Sequence, residues 1–239
     1  MNKQPNHYLT KKLEDKSKID KIPFFEANPN LLEPIGPKVA NKDGSFTYKK
    51  EGSNLSLDVK FKDLKEDIEL SESVKFSKDS YVEIVEFQLS KDEKQIYKLP
   101  EGYNVKVIQR VDHKKRPNSG SALYPFVDLV VMEVDIVSPT GIIVFSHELA
   151  HFEKKDEFKQ AVEYYEALSA GKIKDDKTLQ LILKVERDAW ATSLKKIRPL
   201  IKDIAGDEMI MNEIVHNICL AQYSDDIKKN MPNIKLFNE

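Results

Sequence analysis

The sequence predicts an α+β fold: a mixed β-sheet in the first part of the chain, then a helical half. Three observations carry this. Leu55-Ser56-Leu57-Asp58-Val59-Lys60-Phe61-Lys62 alternates apolar and polar residues, the two-residue period of a half-buried strand. Residues 126–137, FVDLVVMEVDIV, are apolar on both faces for most of their length, as strands inside a sheet are. From Ser138 onward the apolar residues recur at helical spacing almost to the end of the chain.

Composition limits the function classes. A chain of 239 residues suffices for one sizeable domain, or a domain with a smaller appendage. We expect an N-terminal arm and β-hairpin region over residues 1–78 and the main domain over 79–239. Its 38 basic and 40 acidic residues leave a net charge of −2, with no global footprint for nucleic acid or a membrane surface. Lys114-Lys115-Arg116 reads as a solvated loop. The single cysteine, Cys219, excludes an intrachain disulfide and a cysteine-ligated zinc cluster. The first residues contain no apolar block of signal-peptide length, and no stretch approaches the ~20 apolar residues of a membrane span. A cytoplasmic location is the expectation.

In chain order, Pro23, Pro29, Pro34 and Pro37 interrupt the first 40 residues, which read as an extended arm on the body. Phe46-Thr47-Tyr48, the turn Gly52-Ser53-Asn54 and the alternating stretch after it form a hairpin. Further strands follow at residues 81–89, 105–111 and 126–137, the middle one with one wet face. Residues 112–124 read as a loop from their Pro, Asn, Ser and Gly content. There is no internal repeat.

Ser138-Pro139 is a helix start, a capping hydroxyl followed by proline in the first turn. In that helix Ile142, Phe145, Leu149 and Phe152 form one apolar stripe, and His147 and His151 flank Val144 on the other side. Both sides therefore read as buried. A second helix, residues 156–170, buries Phe158, Ala161, Val162, Tyr165 and Leu168. A third, about residues 175–198, ends in Lys195, Lys196 and Arg198, as the helix dipole favours. A fourth spans about residues 207–226.

The chemistry is concentrated in His147-Glu148-Leu149-Ala150-His151, a match to H-E-x-x-H. Residues four apart on a helix share a face, so the two imidazoles can converge on one ion with Glu148 beside them. That is the arrangement of a zinc hydrolase: two ligands, and a carboxylate that takes a proton from water. With 5 His and 21 Glu in the chain, chance supplies roughly 0.01 such motifs, so its surroundings must decide.

A catalytic zinc site usually has a third protein ligand. A histidine six residues beyond His151, with a glycine between, would give the metzincin arrangement; Glu157 and Lys154 occupy those positions here. The third helix offers a better candidate. Leu179, Ile182, Leu183, Ala189, Trp190, Leu194 and Ile197 define one apolar seam, and Glu186 falls in its middle. Asp188 projects to the solvent side, and Glu163 lies off its own helix's apolar face. A lone carboxylate in a core-facing seam costs several kcal/mol unless it is paired, and a metal ion would remove that cost. The alternatives are an ion pair with an arginine or hydrogen bonds from neutral histidines.

HELAH, followed 35 residues after His151 by Glu186-Arg187-Asp188-Ala189-Trp190-Ala191, resembles the gluzincin pattern. Within that clan the chain is most similar to the ImmA/IrrE-like metallopeptidases, in which a Glu-x-x-Ala element follows the zinc helix. The resemblance covers about residues 126–200 and implies a zincin-like fold. Many gluzincins carry Asp four residues after the ligand glutamate, where this chain has Trp190. The implied activity is zinc peptidase chemistry on an intracellular protein or peptide. Zn²⁺ would be held by His147, His151 and Glu186, with Glu148 as the proton acceptor. An exposed sheet edge beside the site would hold the peptide by strand addition. On the fourth helix His216 and Tyr223 are candidates for an oxyanion donor, or plain polar residues at a half-buried boundary. A non-catalytic binding or structural protein with a vestigial or stabilising zinc site is the alternative.

Overall fold

The computed structural model describes residues 23–72, 74–99, 104–112, 121–169 and 176–206, with Ile210 and Glu213. The architecture is mixed α+β, with a large sheet and helices in the C-terminal half. The chain enters through a short helix, α1 (Pro23–Ala27), and a 3₁₀ turn started by Pro29. Phe25, Leu31 and Ile35 bury their side chains, and Ile35 N–H bonds the Val137 carbonyl at 2.9 Å. Of the expected arm, residues 23–32 are therefore not extended, because prolines at helix starts begin turns as readily as they end them, and residues 1–22 lie outside the described residues.

The strands are β1 (Lys38–Ala40), β2 (Phe46–Lys49), β3 (Leu55–Asp63), β4 (Ile68–Glu69), β5 (Lys75–Phe76), β6 (Tyr81–Lys91), β7 (Lys94–Lys98), β8 (Lys106–Arg110), β9 (Ala122–Tyr124) and β10 (Leu129–Met132). They form one sheet in the order β1-β2-β3-β6-β8-β10-β9, with β7 also on β6; β4 and β5 pair separately. β8 and β10 run parallel and every other pair antiparallel, so the sheet is mixed. The predicted hairpin is β2–β3, with Gly52 at φ 71° in its turn and Leu55, Leu57 and Val59 buried. β3 pairs with β6 from Leu55↔Lys91 to Asp63↔Val82, so one sheet runs across residue 78.

Three strand expectations change. The apolar run at 126–137 is a strand only over β10; Phe126 and Val127 stand exposed in the turn before it, where Asp128 has φ 53°. After Met132 the chain leaves the sheet, and Val134, Ile136 and Val137 are buried as loop. That loop is held by Gln109, whose side-chain oxygen accepts the Ile136 N–H at 2.8 Å. β8 does not alternate as expected: Val107, Ile108 and Gln109 are all buried, and exposure is confined to its ends at Lys106 and Arg110. The expected loop at 112–124 ends in β9, too short for an alternation to be seen.

The helices that follow among residues 121–206 are α2 (Pro139–Glu153), α3 (Lys155–Ser169), α4 (Asp176–Ile197) and the short α5 (Ile201–Ala205). α2 lies against the sheet, with the Phe145 ring 4.8 Å from that of Phe87 on β6, and every residue from 139 to 152 is buried. α3 and α4 pack beside it.

Candidate metal centre

α2 is pinned at its start. The Ser138 hydroxyl accepts the Gly141 N–H at 3.0 Å, and Pro139 occupies the first turn, where a missing N–H costs nothing. A Cβ on residue 141 would lie 1.8 Å from the Asp135 carbonyl oxygen, so only glycine lets the helix approach that backbone. Two turns on, His147 and His151 present their rings on one side, 2% and 3% exposed. Ser146 Oγ meets Ser193 Oγ at 2.6 Å and fixes α4 against α2. α4 in turn brings Glu186, 4% exposed, to the imidazoles.

The three groups converge. His147 Nε2 and His151 Nε2 are 3.0 Å apart, His147 Nε2 is 3.4 Å from Glu186 Oε2, and His151 Nε2 is 3.3 Å from Glu186 Oε1. Zinc bonds of about 2.0–2.1 Å at tetrahedral angles separate neighbouring ligand atoms by about 3.3 Å. Each imidazole thus faces its own oxygen of the Glu186 carboxylate, at separations close to that spacing. Among the described residues, this is the one group of His, Cys, Asp and Glu whose ligand atoms all lie within 4.8 Å of one another.

The protonation states suit a cation. Burial, and then the neighbouring His151, lower the His147 pKa, so the imidazole is held neutral with a lone pair to give. Burial pushes the Glu186 carboxyl up, but the two imidazoles outweigh it and hold the group well below the usual carboxylate range. A neutral imidazole, as at His147, and an ionised carboxylate, as at Glu186, are the forms a metal requires.

Glu148, 2% exposed, points to the sheet: its Oε2 accepts the backbone N–H of Leu123 on β9 at 2.8 Å. β9 is anchored just before this point, where Ser121 Oγ accepts the Glu133 N–H at 2.9 Å. The Glu133 carboxylate is held by Tyr81 Oη at 2.5 Å and Arg110 Nε at 2.8 Å. A backbone donor such as Leu123 has no side-chain signature, so nothing in the sequence marks it.

His147, His151 and Glu186 are thus brought together, while Glu148, beside His147 on α2, turns its carboxylate to β9. Glu157 and Glu163 are exposed. Asp188 is partly exposed and pairs with Lys184 at 3.1 Å and Lys154 at 3.7 Å. His216 and Tyr223 lie outside the described residues, as do Lys114-Lys115-Arg116 and Cys219. Two residues gain a place at the site that the sequence does not suggest. The Trp190 ring lies flat over His147, centroids 4.0 Å apart and planes 15° apart, and Phe158 covers His151 at 4.0 Å and 29°. Both belong to apolar helix faces, which is where a search would have to start. Compared with known proteins, the chain matches no family model, no curated protein and no solved structure, so its function must be read from this donor set.

Proposed function

We propose that the chain is a zinc-dependent metallopeptidase of zincin type, holding Zn²⁺ through His147 Nε2, His151 Nε2 and the Glu186 carboxylate. The observation that carries this reading is the convergence of His147 Nε2, His151 Nε2 and the two Glu186 carboxylate oxygens at separations of 3.0, 3.3 and 3.4 Å, with Glu148 beside His147 on α2. The order of elements supports it: a mixed sheet, then the helix with two ligands, then a helix with the third. The similarity of HELAH and Glu186-x-x-Ala189 to ImmA/IrrE-like metallopeptidases belongs to the same proposal.

The residues His147, His151 and Glu186 would hold the zinc, whose chemistry there would be Lewis acidity toward water and toward a peptide carbonyl near neutral pH. Glu148 accepts the water's proton and returns it to the leaving amine. The Leu123 N–H anchors one oxygen of that carboxylate and so orients the base. β9 ends the sheet beside α2 and is the edge to which an extended peptide would add. Ala122, Leu123 and Tyr124 are buried, so peptide access requires that this edge be uncovered. An intracellular protein or peptide as substrate and a cytoplasmic location complete the proposal. No helix among the described residues is long and apolar enough to cross a membrane.

Burial favours a second reading. Closed surroundings are typical of structural zinc, and at 2–4% exposure these four residues would also suit a stabilising site in a binding protein. Glu148→Gln separates the two. On the peptidase reading this variant retains one zinc per chain and loses cleavage of a peptide library by about 100-fold or more. Undiminished cleavage would remove Glu148 from the mechanism. Zinc without cleavage in the wild type would leave the stabilising role.

A further inference from the structure

We propose that Trp190 and Phe158 are positioning residues for the metal ligands, holding the two imidazoles by ring stacking where a hydrogen-bonded acceptor at Nδ1 ordinarily does so. This rests on the metal reading above. A metal-ligating histidine almost always gives its second ring N–H to a carboxylate, carbonyl or water, which fixes tautomer and ring orientation. Here both rings are buried, yet neither His147 Nδ1 nor His151 Nδ1 has a hydrogen-bond partner among the described residues. Each ring instead has a covered face. Trp190 stacks on His147 at 4.0 Å, Phe158 stacks on His151 at 4.0 Å, and the two imidazoles meet edge to face at 4.5 Å and 77°.

The result is a continuous series of four rings, Trp190, His147, His151 and Phe158, with the outer two supplied by α4 and α3. It sets the plane of each imidazole and aims both Nε2 atoms at Glu186. Trp190 follows Glu186 by one helical turn, so α4 delivers a ligand and the ring that orients another ligand together. An imidazole that gives its lone pair to a dication becomes electron-poor, and the negative face of an indole then attracts it more strongly. Stacking and metal binding therefore reinforce each other.

Trp190 is the single tryptophan of the chain, so its fluorescence reports on this contact directly. The full chain, stripped with a chelator and titrated back, should show tryptophan emission quenched by Co²⁺ and altered by Zn²⁺, saturating at one equivalent. Trp190→Leu should bind zinc about 10–100-fold more weakly, and Trp190→Phe should recover most of the loss. The visible spectrum of the Co²⁺ form should change in Trp190→Leu and return in Trp190→Phe, a signature that a merely space-filling role would not move. Phe158→Leu should weaken zinc in the same sense through His151, with the native tryptophan still present as a probe. Wild-type zinc affinity in both leucine variants, or emission that ignores a metal shown to bind, would overturn the proposal while leaving the metal site standing. A wild-type chain that takes up neither metal would overturn both.

Discussion

Glu133 and Glu186 are two carboxylates of nearly equal burial, 2% and 4% exposed, with opposite surroundings. Glu133 has its own cation: Arg110 Nε at 2.8 Å, and the Tyr81 hydroxyl at 2.5 Å completes it. Burial and the Glu133 charge push the Tyr81 phenol up, so it stays protonated and donates. Glu186 faces two imidazoles, and burial keeps His147 in its neutral form. One carboxylate is balanced by a permanent guanidinium charge, and the other by contacts to two imidazole nitrogens, a donor set that can also hold a cation. Burial alone does not mark a site; the chemistry of the partner does. On the proposed reading, a buried carboxylate that faces two imidazoles is completed by an ion, whereas one beside arginine is complete already.

The largest expected effect comes from removing the cation at Glu133. Arg110→Met strands a buried charge and should cost about 3–5 kcal/mol in urea unfolding, with the same loss in the presence of a chelator. A loss below about 1 kcal/mol, the range of exposed pairs, would mean that the cluster does not hold the sheet.

At Glu186 the sharper lever is acid. The His147 pKa is lowered from its ordinary 6.5, so below that pH the unfolded chain takes up a proton that the folded chain refuses. This contribution is whole above 6.5 and is lost as pH falls toward the folded value. The Glu186 carboxyl is also depressed, so its contribution is whole above its ordinary 4.5 and fades below it. Both make the metal-free protein weaker in acid. Its urea midpoint should drop between about pH 7 and pH 5, and His147→Leu should flatten that slope. Parallel slopes in the two proteins would contradict the neutral imidazole. The smallest effect belongs to Asp188, two residues past Glu186 and paired with exposed lysines. Asp188→Ala should change stability by no more than about 0.5 kcal/mol and leave zinc content intact. Loss of zinc would show that α4 presents a different face.

The contrast also explains what the sequence made legible. His147, His151 and Glu186 are visible because each interrupts a helical apolar pattern, and helical periodicity fixes which side a residue faces. Ser138 announces its cap and β3 its alternation for the same local reason. Glu133 interrupts an apolar run just as plainly, but its meaning depends on Arg110 and Tyr81 on two other strands, a pairing that no local pattern encodes. β9 is three residues long and Leu123 contributes only its backbone, so neither leaves a trace in residue type. Trp190 and Phe158 read as ordinary core, because stacking on a ligand and packing in a core call for the same side chains.

The most direct measurement is the metal content of purified wild-type protein beside Glu186→Ala. One equivalent of zinc in the wild type, with most of it lost from Glu186→Ala, is the expected result. A wild type without zinc, or a variant that retains as much, would contradict the three-ligand centre on which the proposed function stands.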